Sequence, residues 1–169
     1  MSHCTDCDCP PCAQIGRGTM STNSTKPGER ITPTYLSAAA NPALANYSPA
    51  WLSNLADDVT LEGSMMNGAV QGPDAVRSLV AYVRKLYERQ EFHYAGPVNG
   101  TRFLEDYTAW VGGEPVGNVV LITFNATGQT QHVVVNYRPR TKLLMLSRLV
   151  GEHFAGTPFA EAFASSAAE

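Results

Sequence analysis

The residues that could do chemistry in this chain form two groups, and the first is a cysteine cluster near the start. All four cysteines, Cys4, Cys7, Cys9 and Cys12, follow the pattern C-x2-C-x-C-x2-C. Two C-x-x-C loops can each bind a soft metal such as Zn²⁺ or Cu⁺. The usual zinc site separates its cysteine pairs by about a dozen residues or more, whereas a single residue separates them here. We therefore weigh a thiolate metal site against a reduced, unstructured tail, favour the tail, and expect no cofactor.

The second group centres on two neighbouring acids, Glu105 and Asp106, in a segment of strand-like composition. Side chains alternate between the two faces of a strand, so only one of these acids can enter an interior pocket. A carboxyl group in an apolar pocket is costly to ionise, which raises its pKa and suits it to proton transfer. Asp106 would share its face with Trp110, a residue that could line a pocket. We therefore predict that Asp106, rather than Glu105, is the catalytic acid.

His132, His93 and Arg148 are the remaining polar candidates. His132 falls on the more polar face of its predicted strand, which leaves open a catalytic base or a surface or interface group. His93 stands between two aromatic residues, and we interpret it as a partly buried histidine. Arg148 lies in an otherwise apolar segment and needs a carboxylate partner, which Asp106 or Glu105 could supply. That pair could belong to a catalytic site, although a structural salt bridge is the interpretation we favour.

A run of strands must position these groups. Segments rich in valine, isoleucine, threonine and aromatic residues are bounded by Gly, Pro or Asn, as strands usually are. They predict strands at Glu91–Val98, Thr101–Val111, Gly117–Asn125, Gln129–Arg138 and Lys142–Val150. The dipeptide Asn99-Gly100 favours a tight hairpin. Short connections between successive strands indicate an antiparallel meander, because parallel neighbours need long crossovers.

Helices precede this meander, so we predict an α+β fold with helices on one face of the sheet. The expected elements are a first helix, a short second helix, a short strand and a long third helix, at Pro33–Ala40, Ser48–Leu55, Val59–Glu62 and Pro73–Arg89. Both faces of the later strands are apolar, whereas a sheet with one wet face shows polar residues at every second position. We therefore expect a second copy of the chain to cover the outer face in a homodimer.

Composition sets the outer bounds. The chain has 169 residues and a formal net charge of −3, which favours neither nucleic acid nor an anionic membrane as partner. No apolar run approaches the roughly 20 residues that span a bilayer, and no signal peptide is evident. We expect a cytoplasmic protein with a disordered tail at 1–30, a domain at 31–155 and a closing segment at 156–169. In that last segment Phe159 and Phe163 could pack on the domain or on a partner.

A resemblance appears once these elements are placed. The stretch Leu55–Gly63, followed by Gly68 and Gly72–Val76, resembles the opening of the SnoaL-like branch of the nuclear transport factor two-like superfamily. The resemblance extends over about 33–150. It implies a cystatin-like fold, in which a strongly bent antiparallel sheet forms a cone around N-terminal helices and encloses one apolar pocket. It also implies dimerisation through the outer sheet face. The ending, from Asn136–Pro139 through Leu146–Glu152, resembles an uncharacterised bacterial subgroup.

Relatives of this kind include ketosteroid isomerase, limonene epoxide hydrolase, polyketide cyclases and non-enzymatic binding modules. The resemblance therefore implies a small apolar ligand and leaves two functions open. One is a cofactor-independent isomerase, cyclase or epoxide hydrolase that uses a pocket carboxylate, and the other is a non-catalytic ligand- or protein-binding dimer. We predict pocket-lining side chains at Trp51, Met65, Tyr82, Tyr94 and Trp110. No G-x-S-x-G, phosphate-binding or H-E-x-x-H motif is present, which argues against the common hydrolase, nucleotide and metalloprotease classes.

Overall fold

The computed structural model describes residues 38–163. Six strands and two helices make up this part of the chain: β1 (Leu55–Gly63), β2 (Val70–Gln71), α1 (Pro73–Lys85), β3 (Arg89–Asn99), β4 (Arg102–Val111), β5 (Glu114–Phe124), β6 (Thr130–Arg138) and α2 (Arg140–His153). Short 3-10 helices lie at Pro42–Leu44, Ala50–Ser53 and Ala160–Phe163. The α+β class predicted from the sequence is confirmed.

The four strands from β3 to β6 form the predicted antiparallel meander, and their turn residues explain why. At the β3–β4 turn Asn99 pairs with Arg102, and its side-chain Oδ1 accepts a hydrogen bond from the Thr101 backbone N–H. At the β4–β5 turn Gly112 and Gly113 have φ values of 62° and 74°. Two successive positive φ values suit the tight hairpin turns whose twist matches that of the strands.

One strand pairing was not predicted. The sheet order is β2-β1-β6-β5-β4-β3, and β1 runs parallel to β6. The predicted antiparallel sheet is therefore a mixed sheet, and within the described residues its edge strands β2 and β3 do not close it into a barrel. Turn signals report only on strands that follow each other along the chain. The pairing of β1 with β6 joins segments far apart in the sequence and leaves no such signal.

The prediction of a last strand at Lys142–Val150 is wrong. This segment lies in helix α2, whose Leu146 and Val150 are fully buried while Leu144 is 56% exposed. Leu143, Leu146 and Val150 recur at helical spacing and turn one face toward the core. A short apolar run cannot by itself distinguish a buried strand from a helix. Here leucine, methionine, lysine and arginine dominate, and all of them are good helix formers.

The helices predicted before the meander are confirmed in part. The long helix is present as α1, which begins at Pro73 directly after Gly72 and ends at Lys85, a turn earlier than predicted. The predicted second helix is reduced to the 3-10 turn Ala50–Ser53, and β1 starts at Leu55, so that it contains the predicted helix end. Of the predicted first helix, residues 33–37 lie outside the described residues and 38–40 are not helical.

The core lies between the inner face of the sheet and the two helices. Its most deeply buried side chains include Val59, Leu61, Val76, Leu79, Ile122, Val133 and Leu146, each at most 1% exposed. The closing segment packs onto this core as expected: the Phe159 ring centroid lies 4.7 Å from that of Phe154, and Phe163 is also buried. No helix within residues 38–163 is long and apolar enough to cross a membrane.

Candidate functional site

A cavity opens between α1 and the inner face of the sheet. Its free volume is about 50 Å³, several times the roughly 10–15 Å³ that one water molecule needs. The wall is mainly apolar and includes Leu61, Met65, Leu79, Val83, Phe92, Val120 and Val135. Polar atoms enter from Glu105, Arg84, Gln90 and a group of tyrosines. An apolar concave site with few polar groups is typical of small-molecule binding.

Glu105, and not Asp106, is the acid that faces this cavity. Glu105 lines the wall and is 2% exposed. Tyr107, two residues further along the same face of β4, also lines the wall. Asp106 points to the opposite side of the sheet, where its Oδ1 accepts a hydrogen bond from Arg138 Nη2 at 2.8 Å. The prediction that Asp106 enters the pocket is therefore wrong. Strand alternation separated the two acids correctly, but the position of α1 decides which face is the interior.

Two donors from the segment before β1 hold one oxygen of Glu105. The Tyr47 hydroxyl donates to Glu105 Oε1 at 2.6 Å, and Trp51 Nε1–H donates to the same oxygen at 2.8 Å. Within the described part of the chain no donor binds Oε2. Burial raises the pKa of the Glu105 carboxyl, while the hydrogen bonds from Tyr47 and Trp51 and the charge of Arg84 act to lower it. The result is a fixed carboxyl group with one oxygen available to a ligand.

Three tyrosine hydroxyls meet in the same cavity. Tyr87, which follows α1, has its hydroxyl oxygen 3.1 Å from that of Tyr137 and 3.4 Å from that of Tyr107. The buried side-chain amide of Asn118 donates to the Tyr107 hydroxyl. Burial raises the pKa of all three phenols, that of Tyr137 to about 12. They are therefore protonated at neutral pH and can act as hydrogen-bond donors.

Burial of Glu105 predicts a pH dependence of stability. The pKa of this carboxyl is raised above the value of 4.5 that it has when unperturbed, so the folded state binds the proton more tightly than the unfolded state. Its stabilising contribution is thus full below pH 4.5 and is lost as pH rises through the folded-state pKa. In that window the free energy of unfolding of the wild type should fall relative to Glu105→Gln, by at most about 1.4 kcal/mol per pH unit. Urea titrations of both proteins at several pH values measure this, and parallel curves would contradict it.

The other predicted catalytic residues lie outside the cavity. His132 Nε2 is 3.0 Å from Glu62 Oε1 on the outer face of the sheet, in keeping with the surface alternative. Arg148 lies on α2, not on a strand, and its Nη1 donates to Glu152 Oε1 at 2.8 Å. The predicted pairing of Arg148 with Asp106 or Glu105 is wrong, because helical spacing turns its side chain toward the residue four positions on.

His93 lies at a bulge in β3, where the pairing with β4 shifts register. Its Nε2 is 2.8 Å from Thr108 Oγ1 and its Nδ1 is 3.1 Å from the Ala39 carbonyl oxygen. Both ring nitrogens therefore have partners within the fold. Because Ala39 precedes β1 and Thr108 lies in β4, this imidazole connects the segment before β1 to the sheet. Neither partner lines the cavity.

Two of the five predicted pocket residues, Trp51 and Met65, line the cavity. The other three do not. Tyr82 stacks on His153 of α2 with ring centroids 3.6 Å apart. Tyr94 is 43% exposed, and the Trp110 ring lies 3.6 Å from Arg89 Cζ, away from the cavity wall. Tyr82 and Trp110 therefore connect neighbouring elements, and Tyr94 donates a hydrogen bond to the Pro97 carbonyl within β3.

Sequence reasoning missed Tyr47 and the three clustered tyrosines. One usable signal existed: the face of β4 that carries Glu105 also carries Phe103, Tyr107 and Ala109, a mainly apolar set. The partners that hold Glu105 could not be found in this way, because Tyr47 is 58 residues away in the sequence.

No metal centre emerges from the described residues. Within 38–163 no group of at least three His, Cys, Asp or Glu side chains could hold a metal ion. The predicted thiolate site at Cys4, Cys7, Cys9 and Cys12 lies outside the described residues. Among the polar groups that line the cavity are a carboxyl group, three phenols, a side-chain amide and a guanidinium group.

Comparison with known proteins identifies the fold. The sequence matches no model of a protein family, and no curated protein matches it. Among solved structures it is similar to an uncharacterised protein conserved in bacteria with a cystatin-like fold from Silicibacter pomeroyi DSS-3. That match has 20% identity and a TM-score of 0.59, and it covers 66% of this chain and 79% of the other.

A steroid delta-isomerase from Pseudomonas aeruginosa is also similar, with 20% identity and a TM-score of 0.57 over 63% of this chain and 79% of the other. An NTF-2 like protein of unknown function from Burkholderia xenovorans LB400 matches more weakly, with 14% identity and a TM-score of 0.45 over 54% and 73%. At these identities the likeness shows fold alone. The chain has the cystatin-like fold that the resemblance implied.

Proposed function

We propose that the cavity binds a small apolar molecule and that Glu105 moves a proton on it, as a cofactor-independent isomerase does. The observation that carries this proposal is the state of the Glu105 carboxyl group. It is buried in an apolar wall, held through Oε1 by Tyr47 and Trp51, and open at Oε2. A base with a raised pKa works at a pH near its own pKa, where its basicity and its ionised fraction are both useful.

The tyrosine hydroxyls supply the second half of the proposed reaction. Glu105 Oε2 takes a proton from a carbon next to a carbonyl group, and the C–H electron pair moves into the carbonyl to form an enolate. Hydroxyls of the cluster Tyr87, Tyr107 and Tyr137 stabilise the negative oxygen by donating hydrogen bonds. Glu105 then returns the proton to a different carbon, so that the double bond shifts and no oxidant or cofactor is consumed.

A panel of β,γ-unsaturated ketones tests this function. The panel runs from a monocyclic β,γ-unsaturated ketone to a steroid one, and the absorbance of the conjugated enone product reports turnover. Because the free volume is about 50 Å³, we expect the smaller members to react best. Turnover that is absent for every member, together with tight binding of some, would support the alternative function.

The alternative is a non-catalytic binding module with the same pocket. One observation favours it: Tyr47 and Trp51 already satisfy Glu105 Oε1, which a purely structural carboxyl group would also need. In this case the ligands would bind without change. The two functions differ in a single measurable property, the conversion of a bound β,γ-unsaturated ketone.

We also propose that the outer face of the sheet forms a homodimer. Leu104, Leu121 and Val134 lie side by side across β4, β5 and β6, and all three are only half-buried within one chain. Such a contiguous apolar row on an exposed face suits a self-complementary interface.

Light scattering tests the dimer. We expect the mass of two chains for the wild type and of one chain for Leu121→Glu, because a carboxylate would be buried in the interface. Leu144→Glu, on the exposed side of α2, is the matched control and should leave the mass unchanged. A wild-type mass of one chain at micromolar concentration would exclude the interface.

A further inference from the structure

Arg84 is a cation at the rim of the cavity. It lies in the last turn of α1 and lines the cavity, yet it is exposed to solvent. Glu105, in contrast, is 2% exposed. The two charged residues of the wall thus differ in their exposure to solvent. We place the opening of the cavity near Arg84 and its base near Glu105. Pro49 and Gln90, which also line the cavity, are half-buried.

The guanidinium group of Arg84 has no acidic partner among the described residues. Five other arginine and lysine side chains there form ion pairs, namely Arg77, Arg89, Arg138, Lys142 and Arg148. Four have neither an ion pair nor a hydrogen bond within 38–163: Arg84, Lys85, Arg102 and Arg140. Of these four only Arg84 lines the cavity. Cations without an ionic partner are common on protein surfaces. A cation in the wall of a mainly apolar cavity is less common and can bind a ligand there.

Arg84 is close to Glu105 without being bound to it. Its charge lowers the pKa of the Glu105 carboxyl, so the two groups interact through space. They do not approach within the 4.0 Å of an ion pair, and the donors on Glu105 Oε1 are Tyr47 and Trp51. Within residues 38–163 no side chain occupies the donors of this guanidinium group, so a ligand that enters the opening can accept hydrogen bonds from them in exchange for water.

We infer that Arg84 binds an anionic group of the ligand, a carboxylate or a group of like charge and shape, while the apolar body of the ligand fills the cavity toward Glu105. This inference rests on the proposed function and names its substrate class as small apolar acids. A guanidinium group presents a planar fork of donors that matches a carboxylate. Placement at the rim keeps the anion in partly solvated surroundings and apart from the buried Glu105, which avoids the cost of two charges in the apolar interior.

The experiment compares two probes that differ in charge, 4-ethylbenzoate and 4-ethylbenzamide. Calorimetric titration of the full-length chain measures the binding of each. We expect the wild type to bind the benzoate about tenfold or more tightly than the amide, the range of a charge-assisted hydrogen bond. Arg84→Gln should remove this preference and leave amide binding unchanged. Lys85 is the neighbouring cation, does not line the cavity and has no ion pair within the described residues. Lys85→Gln makes the same change in net charge and should keep the preference.

The outcomes separate this inference from the function on which it rests. Equal losses of benzoate binding in Arg84→Gln and Lys85→Gln would show a nonspecific charge effect and overturn the role of Arg84. A wild type that binds the amide as well as the benzoate would overturn it too, while leaving the apolar cavity in place as a binding site. If the wild type binds neither probe, the inference and the proposed ligand-binding function both fail.

Discussion

Replacing Glu105 with glutamine is expected to lower kcat/KM for the best β,γ-unsaturated ketone substrate by about 10²-fold or more, the usual contribution of a positioned general base. Glutamine has nearly the same shape, and its amide oxygen can still accept the hydrogen bonds from Tyr47 and Trp51. The fold and the cavity should therefore be kept while the proton acceptor is lost. Initial rates from product absorbance, measured with circular dichroism as a check on folding, give the result.

Asp106→Asn is the matched control for this experiment. Asp106 is the next residue on the same strand, but it faces outward and pairs with Arg138. An equal loss of charge there should leave the rate close to that of the wild type. The rate of the wild type should also rise with pH through the raised pKa of Glu105, because only the ionised carboxyl group accepts a proton. Equal rates for the wild type and Glu105→Gln would rule out Glu105 as the base.

Replacing Leu146 with alanine is expected to destabilise the domain by about 2–5 kcal/mol, the usual cost of such a cavity in a packed core. Leu146 is fully buried on the inner side of α2. The loss is large relative to the roughly 5–15 kcal/mol of total stability of an ordinary domain. Urea unfolding monitored by tryptophan fluorescence measures it, with the midpoint shifting to lower denaturant concentration.

Leu144→Ala makes the same chemical change two residues away and separates a helix from a strand. Leu144 is 56% exposed, so its truncation should change the free energy of unfolding by no more than about 0.5 kcal/mol. In a strand, residues two apart share a face, and the two substitutions would cost nearly the same. Similar losses for Leu144→Ala and Leu146→Ala would therefore contradict α2.

The antiparallel meander is the part of the fold that the sequence determined most directly. Gly112 and Gly113 adopt the positive φ values that their turn requires, and Asn99 accepts a hydrogen bond within its own turn, so both turns are specified by the residues that form them. Helix α1 is similar, because Pro73 follows Gly72 and the apolar positions recur at helical spacing. These features depend on residues close together in the chain, so they can be inferred without knowing what packs against them.

Helix α2 shows where local pattern is insufficient. The apolar run around Leu146 is compatible with both a buried strand and a helix. The elements that pack around it in space decide between the two. β6 already pairs with β5 on one side and with β1 on the other, so no edge of β6 is left for another strand. The following segment instead buries its apolar side on the core as a helix.

The candidate site depended most on tertiary structure. The sequence determined that Glu105 and Asp106 point to opposite faces of β4, since alternation is a property of the strand alone. Which face becomes the interior was decided by where α1 and the Tyr47–Trp51 segment pack, and both hydrogen bonds to Glu105 cross more than 50 residues of chain. Backbone angles are set by adjacent residues, whereas burial, and with it the pKa of a carboxyl group, is set by whichever distant side chains exclude water from it.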